Sequence, residues 1–324
     1  MNDSGSSSPE FNSKKWFQTA FAWTGTALPL CYFRILLMTL YSAIVQLLYT
    51  LETSAIVAFS KATSPNGVDS FGHVVLGSLI GFLLVMRMNA SNARFWEGRS
   101  HWGSIINFFF NDTATTEIYT QDGQRLAELV AGYAVTLKQS LHGQRYLDES
   151  TPFLPKAVVD LANEFGNQPT AVAGAITAWV RRQSEAKVLD PEMTRHMESL
   201  TAELVNSQGG CEKIQKTPLP FAYVSLIKLL ILVYLVTLPI VLCSRFGWWA
   251  PLLTAVLSLG MFGMEETSIE IEDPFGKNLN CIDLDVLTIT IARDTGQLAR
   301  KAPRLQTLLA TDADVDTNAE GSSA

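Results

Sequence analysis

Apolar residues in this chain gather in long unbroken runs, and polar residues fill the stretches between them. Four runs approach the roughly 20 residues that a helix needs to cross a bilayer. They cover about Leu28 to Tyr49, Phe71 to Met86, Phe221 to Leu242 and Trp248 to Met264. The second is short, so it must recruit flanking residues or thin the bilayer locally. It passes without a turn signal into Arg87-Met88-Asn89-Ala90-Ser91-Asn92-Ala93-Arg94, so one helix is expected to leave the apolar layer and continue in water. Gly210 to Tyr223, which contains Pro218 and Pro220, makes the reverse passage into the third run.

Between the second and third runs, apolar residues recur at helical spacing. Leu126, Leu129, Val130, Tyr133, Val135 and Leu137 mark one helix between Arg125 and Leu141, and two more are expected over Ala171 to Arg182 and Glu192 to Val205. No stretch alternates as a half-buried strand would. The fold class is therefore an all-α membrane protein, with four membrane helices that continue into a helical cytoplasmic body over 87–216 and 265–304. Phe108 to Thr120 breaks the helical pattern with a Thr-rich, β-branched segment that resembles translated sequencing-adapter read-through, so no function is read from it. Its Asn111-Asp112-Thr113 fits a glycosylation acceptor, which an expected cytoplasmic position disfavours.

Basic residues set the expected orientation, because short cytoplasmic loops hold most of them. Lys14 and Lys15 precede the first run, whereas Lys61 and Arg245 stand alone in the two short loops. Arg87 to Lys216 and the segment after Met264 hold nearly all the rest, which places both termini in the cytoplasm of a multi-pass cell-membrane protein, an inner membrane if the source is prokaryotic. Trp248-Trp249 suits an aromatic belt on the outer side. Met1 to Ser13 and Thr311 to Ala324 read as disordered tails, and the first lacks the order of a cleaved signal peptide.

Thirty-one Asp+Glu against 24 Lys+Arg disfavours nucleic acid as a partner, since phosphates need a basic surface. Cys31, Cys211, Cys243 and Cys281 have no paired spacing, so neither a disulfide framework nor a zinc site is indicated. His73, His101, His142 and His196 stand in no nucleophile or metal-ligand motif, so no enzyme activity and no cofactor is expected.

Three separated motifs carry a resemblance. Asn89-Ala90-Ser91 with Arg94-Phe95-Trp96-Glu97-Gly98-Arg99 and Trp102-Gly103 comes first, then Thr217-Pro218-Leu219-Pro220-Phe221-Ala222-Tyr223, then Ile271-Glu272-Asp273-Pro274-Phe275-Gly276. In this order they resemble the bestrophin family in its bacterial branch, over about Ser13 to Arg304. The resemblance implies a homopentamer in membrane lipid that conducts chloride or other monovalent anions through a pore lined by the second membrane helix. A monovalent-cation channel of the same fold, a transporter and a scaffold remain open beside it.

By the same resemblance, residues at successive four-residue steps form a narrow pore neck, here Ser78, Phe82 and Met86. Such spacing keeps them on one helix face. Ser78 departs from the usual bulky residue, so Phe82 and Met86 would carry the constriction, and ordinary helix packing is the competing reading. The family's cytoplasmic aperture falls on Glu192, after Asp190-Pro191. Five glutamates there would form an acidic ring favouring cations; equally, Glu192 suits the first turn of a helix, where a carboxylate meets the helix dipole. Arg94 and Glu97 are spaced to pair on a helix surface, with Phe95, Trp96 and Trp102 packing against neighbours. Gly77 and Gly81 would let helices approach closely. The calcium-binding acidic run of animal relatives is replaced by Lys277 to Cys281, so no metal site is expected. Glu265, Glu266, Glu270, Glu272 and Asp273 are expected to form salt bridges to the basic cytoplasmic helices.

Overall fold

The computed structural model describes residues 16–20, 22–51, 70–115, 121–297 and 299–300. Both tails and the loop carrying Lys61 lie outside the described residues. Every described element is helical: α1 (Trp16–Ala20), α2 (Leu28–Thr50), α3 (Phe71–Thr115), α4 (Gln121–Leu141), α5 (Lys156–Glu164), α6 (Gln168–Glu185), α7 (Pro191–Lys216), α8 (Phe221–Phe246) and α9 (Ala250–Glu272). Residues 284–297 form a further helix, α10.

Three stretches are long and apolar enough to cross a membrane: Leu28–Thr50, Phe71–Asn107 and Phe221–Glu272. The last is interrupted by a 3-10 turn at Gly247–Trp249, which separates α8 from α9. Gly247 sits at φ 54°, a conformation that costs a glycine little and would strain any residue with a Cβ.

The chain forms two compact units. The first draws on residues up to Trp96, on Pro218–Pro274 and on Asn278–Cys281. Its core joins Met38 of α2, Ile80 and Leu84 of α3, and Ile227, Ile231, Tyr234, Leu235 and Leu238 of α8. A smaller cluster joins Val45, Cys243 and Ala250. α9 packs along α2, and Thr254 Oγ1 donates to Ser42 Oγ at 3.1 Å between them. That bond satisfies two hydroxyls where apolar surroundings would otherwise penalise both. Gly77 meets the Tyr234 ring closely, as expected of a small residue, whereas a Cβ on Gly81 would meet nothing within 4 Å among the described residues.

The second unit comprises Glu97–Thr217, Phe275–Lys277 and residues from Ile282 onward. α4 packs on α6, and α6 on both α5 and α7. Leu126, Val130, Tyr133 and Leu137 are buried, as their spacing requires, together with Val172, Ile176, Val180 and Leu204. Asn167 and Asp190 cap α6 and α7 by accepting backbone N–H groups with their side chains, which serves donors that would otherwise lack partners. Buried Tyr133 donates to Gln208 Oε1 at 3.0 Å, and Gln208 in turn donates to Glu212. Burial pushes the Cys211 thiol up to about 12, so it stays protonated at neutral pH. Burial alone would pull the Lys138 ammonium down, but hydrogen bonds to Asp285 and Glu149 outweigh it and hold the group above its ordinary value.

Two sequence expectations change here. α3 stays helical through Thr115, so the segment from Phe108 does not break the helix where its composition suggested. Once a long helix is established, each added residue needs only one more bond, and the weak propensities of Thr and Asn cost tenths of a kcal/mol apiece. Trp102 is fully buried as expected, but Trp96 is 61% exposed and its ring meets Phe95 edge-on.

The adjacent glycines of α7 give opposite expectations. A Cβ on Gly210 would lie 2.3 Å from the His101 ring, whereas one on Gly209 meets nothing within 4 Å. Gly210→Ala should lower stability by about 1–3 kcal/mol through overpacking. Gly209→Ala should raise it by about 0.5–1 kcal/mol through helix propensity. Thermal denaturation of the two variants beside the parent checks both signs.

Candidate functional site

α3 presents two different faces within the first unit. Ile80, Leu84, Arg87 and Ser91 are buried against the same chain. Ser78, Phe82 and Met86 lie on the other side and are exposed, Phe82 at 61% and Met86 at 49%. Ser78 Oγ donates back to the Val74 carbonyl at 2.8 Å. Its hydroxyl therefore needs no water, and the row from Ser78 to Met86 is a continuous outward stripe that the single chain leaves uncovered.

The buried side of α3 carries the unit's strongest electrostatic feature. Arg87 is 1% exposed and donates through Nη1 to Glu265 Oε1 at 3.0 Å, with Glu265 itself 3% exposed. Arg34 of α2 donates to Glu266 at 2.8 Å and approaches Glu265 at 3.7 Å. Lys228 of α8 lies 3.4 Å from Glu265, and Glu272 completes the set 3.8 Å from Arg87. Three cations from three helices thus face three carboxylates from α9. Balanced charge of this kind is what allows ionised groups to remain out of water.

Arg87, at the start of the stretch expected to be cytoplasmic, meets the expectation that these carboxylates bridge to basic residues there, but Glu265 and Glu266 also take Arg34 and Lys228 from the apolar runs of α2 and α8. Arg34 and Lys228 both meet Glu265 across the helices. The chemistry was visible in the sequence, but which helices would bring it together was not, because the partners lie 37 to 232 residues apart by number, from Lys228–Glu265 to Arg34–Glu266.

Glu272 also gathers the three sequence motifs. Leu219 N–H donates to Glu272 Oε1 at 2.9 Å, and Arg94 Nε donates to the Glu272 carbonyl at 3.1 Å. Arg87 lies beside the same carboxylate. The motif residues from α3, from the Pro218–Pro220 turn and from the end of α9 are thus joined by direct contacts, which supports reading the signature as structural. Glu97 accepts from Lys213 at 2.7 Å within the second unit.

Glu192 occupies the first turn of α7, directly after Pro191, with its N–H bonded to Asp190 Oδ1 at 2.8 Å. Its side chain is exposed. Glu270 accepts from the Asn280 amide at 2.6 Å, and that amide also reaches the Gly25 carbonyl at 3.3 Å.

The family described as Bacterial/Fungal Bestrophin protein matches residues 9–297. A protein of Nostoc sp. named as a voltage-dependent anion channel-forming protein is 31% identical over 301 residues, covering 90% of this chain and 94% of that one. One so named from Synechocystis sp. is 26% identical over 303 residues, covering 91% and 95%. Among solved structures, a bacterial bestrophin homologue from Klebsiella pneumoniae matches with a TM-score of 0.74 at 22% identity, covering 83% of this chain and 98% of that one. That likeness concerns the fold.

Breaking the buried pair on one side should be far worse than removing both partners. Arg87→Met should cost about 3–5 kcal/mol by stranding carboxylate charge, and Arg87→Met with Glu265→Met should recover most of the loss. Thermal unfolding of the two variants in one detergent checks the order.

Proposed function

This chain belongs to the bacterial and fungal bestrophin family, and we propose that it assembles as a homopentamer whose α3 helices line a channel for monovalent anions. The observation that carries this reading is the uncovered stripe of Ser78, Phe82 and Met86, opposite a face that the chain has already packed. A stripe of this kind on one chain needs copies of itself to become a wall. The relatives named as anion channel-forming proteins supply the permeant class.

The ionic set supports a four-crossing arrangement. α2 and α8 meet it near their N-terminal ends, α9 near its C-terminal end and α3 at Arg87, where its N-terminal apolar segment ends, so the apolar stretch of each helix lies to one side of the set. Beyond it each helix extends about 23–27 Å at 1.5 Å per residue, close to the apolar thickness of a bilayer. In this reading Arg34, Arg87, Lys228 and Glu265 mark the cytoplasmic face, with both termini on that side. Trp248 and Trp249, both strongly exposed, would then meet the outer interface.

Five copies of Phe82 and Met86 would form an apolar neck that conducts when wet and closes when dry. Ser78, small and bonded to its own helix, would leave its level wider. The calcium-binding run of animal relatives has no counterpart at Lys277 to Cys281, and the channel is read as needing no metal or cofactor. Glu192 favours a second reading of selectivity: as an exposed carboxylate at the start of α7, five copies facing an aperture would attract cations.

Native mass spectrometry of the purified protein should show a pentamer, and a dominant monomer would contradict the assembly. Phe82→Ala should raise single-channel conductance; a permeation barrier lower by about 1 kcal/mol corresponds to roughly fivefold. Leu229→Ala on α8 should leave conductance unchanged, and equal responses of the two variants would assign Phe82 to packing.

Glu192→Gln tests the aperture. In a potassium chloride gradient, an acidic ring predicts a reversal potential shifted toward chloride by the substitution. Identical potentials for variant and parent would place Glu192 outside the ion path.

A further inference from the structure

We infer that Arg34 and Lys228 form a site for the phosphate headgroup of an anionic phospholipid, whose acyl chain lies along Phe33, Leu37, Leu232 and Phe262. These six residues border a cavity of about 410 Å³ in the first unit, with Glu265 at its inner wall. The cavity combines cations with apolar walls, and the two serve different parts of one amphiphile.

The cations have capacity to spare. Arg34 uses Nη1 toward Glu266 and Glu265, and its Nε and Nη2 have no hydrogen-bond partner among the described residues. Lys228 lies 3.4 Å from Glu265 without a hydrogen bond. Their side chains are 46% and 52% exposed, whereas Glu265 and Glu266 are nearly enclosed behind them. The outward face is thus positive although the whole set is neutral. A guanidinium fork and an ammonium beside it match the two free oxygens of a phosphodiester.

The walls argue for a lipid over a free anion. Phe33, Leu37 and Leu232 are all strongly exposed in the chain. Arg34 and Lys228 stand about 9 and 10.5 Å from the starts of α2 and α8 at 1.5 Å per residue. That depth suits the boundary between headgroups and acyl chains, where basic pockets between membrane helices hold anionic lipids. The site rests on the reading that α2 and α8 enter the bilayer from the same face.

The test is native mass spectrometry of the full chain in detergent with equal phosphatidylglycerol and phosphatidylcholine. The parent protein should retain phosphatidylglycerol preferentially, and Lys228→Gln should weaken retention about fivefold, with a similar further loss on adding Arg34→Gln. Lys228→Gln alone is the safer variant, because it removes no hydrogen bond, and an unchanged oligomer mass shows that it is folded. Equal retention of both lipids by the parent, or full phosphatidylglycerol retention by Lys228→Gln, would overturn the site. Glycerol phosphate should fail to displace the lipid at equal concentration, and displacement as efficient as by phosphatidylglycerol would show an anion site without an acyl groove. An intact pentamer with no lipid preference would reject this site alone; a monomer that retains the lipid would reject the assembly and leave the site standing.

Discussion

Arg87 is buried to 1% exposure in the first unit, and a guanidinium cannot remain there without a carboxylate close by. Glu265 supplies it at 3.0 Å, and Arg34, Lys228, Glu266 and Glu272 extend the pair into a balanced set. The set constrains the register of four helices at once. Sliding α3 by one turn against α9 would move Arg87 by about 5.4 Å and leave charge stranded on both sides. Apolar contacts such as Ile80 and Leu84 against Ile231 and Leu235 supply packing energy, but they tolerate neighbouring registers better than an ion pair does.

With α3 held this way, its remaining face is decided. Positions Ile80, Leu84, Arg87 and Ser91 turn inward, so Ser78, Phe82 and Met86 must turn outward. An apolar stripe facing away from its own chain in a membrane protein can meet lipid, a neighbour or a water-filled path. Family membership and the relatives' names favour the last, formed between copies. In that account the ion pair sets the pore without touching an ion.

Much of this was legible in the sequence. Unbroken apolar runs exposed α2, α3, α8 and α9, and helical spacing exposed α4, α6 and α7, because burial demands both patterns. Pro218 and Pro220 marked the entry into the third run, where α8 begins. The four-residue spacing of Ser78, Phe82 and Met86 placed them on one face, although only the resemblance suggested which face mattered. The ionic set was not legible: its members are ordinary charged residues at run ends, and only tertiary packing shows that Arg34, Arg87 and Lys228 share Glu265 or its neighbours. Trp96 misled for a related reason, since periodicity cannot tell a side chain packed within one chain from one left for a neighbour.

Single-cysteine substitutions along α3, treated with a charged thiol reagent while current is recorded, test the central claim most directly. Cys31, Cys211 and Cys243 are buried in the parent and Cys281 is half-buried, so the substitutions are made in a Cys281→Ser background to keep the background reaction small. Ser78→Cys, Phe82→Cys and Met86→Cys should lose current on treatment, whereas Ile80→Cys and Leu84→Cys should not. Current that falls equally at all five positions, or only at Ile80→Cys and Leu84→Cys, would contradict a pore lined by the outward face of α3.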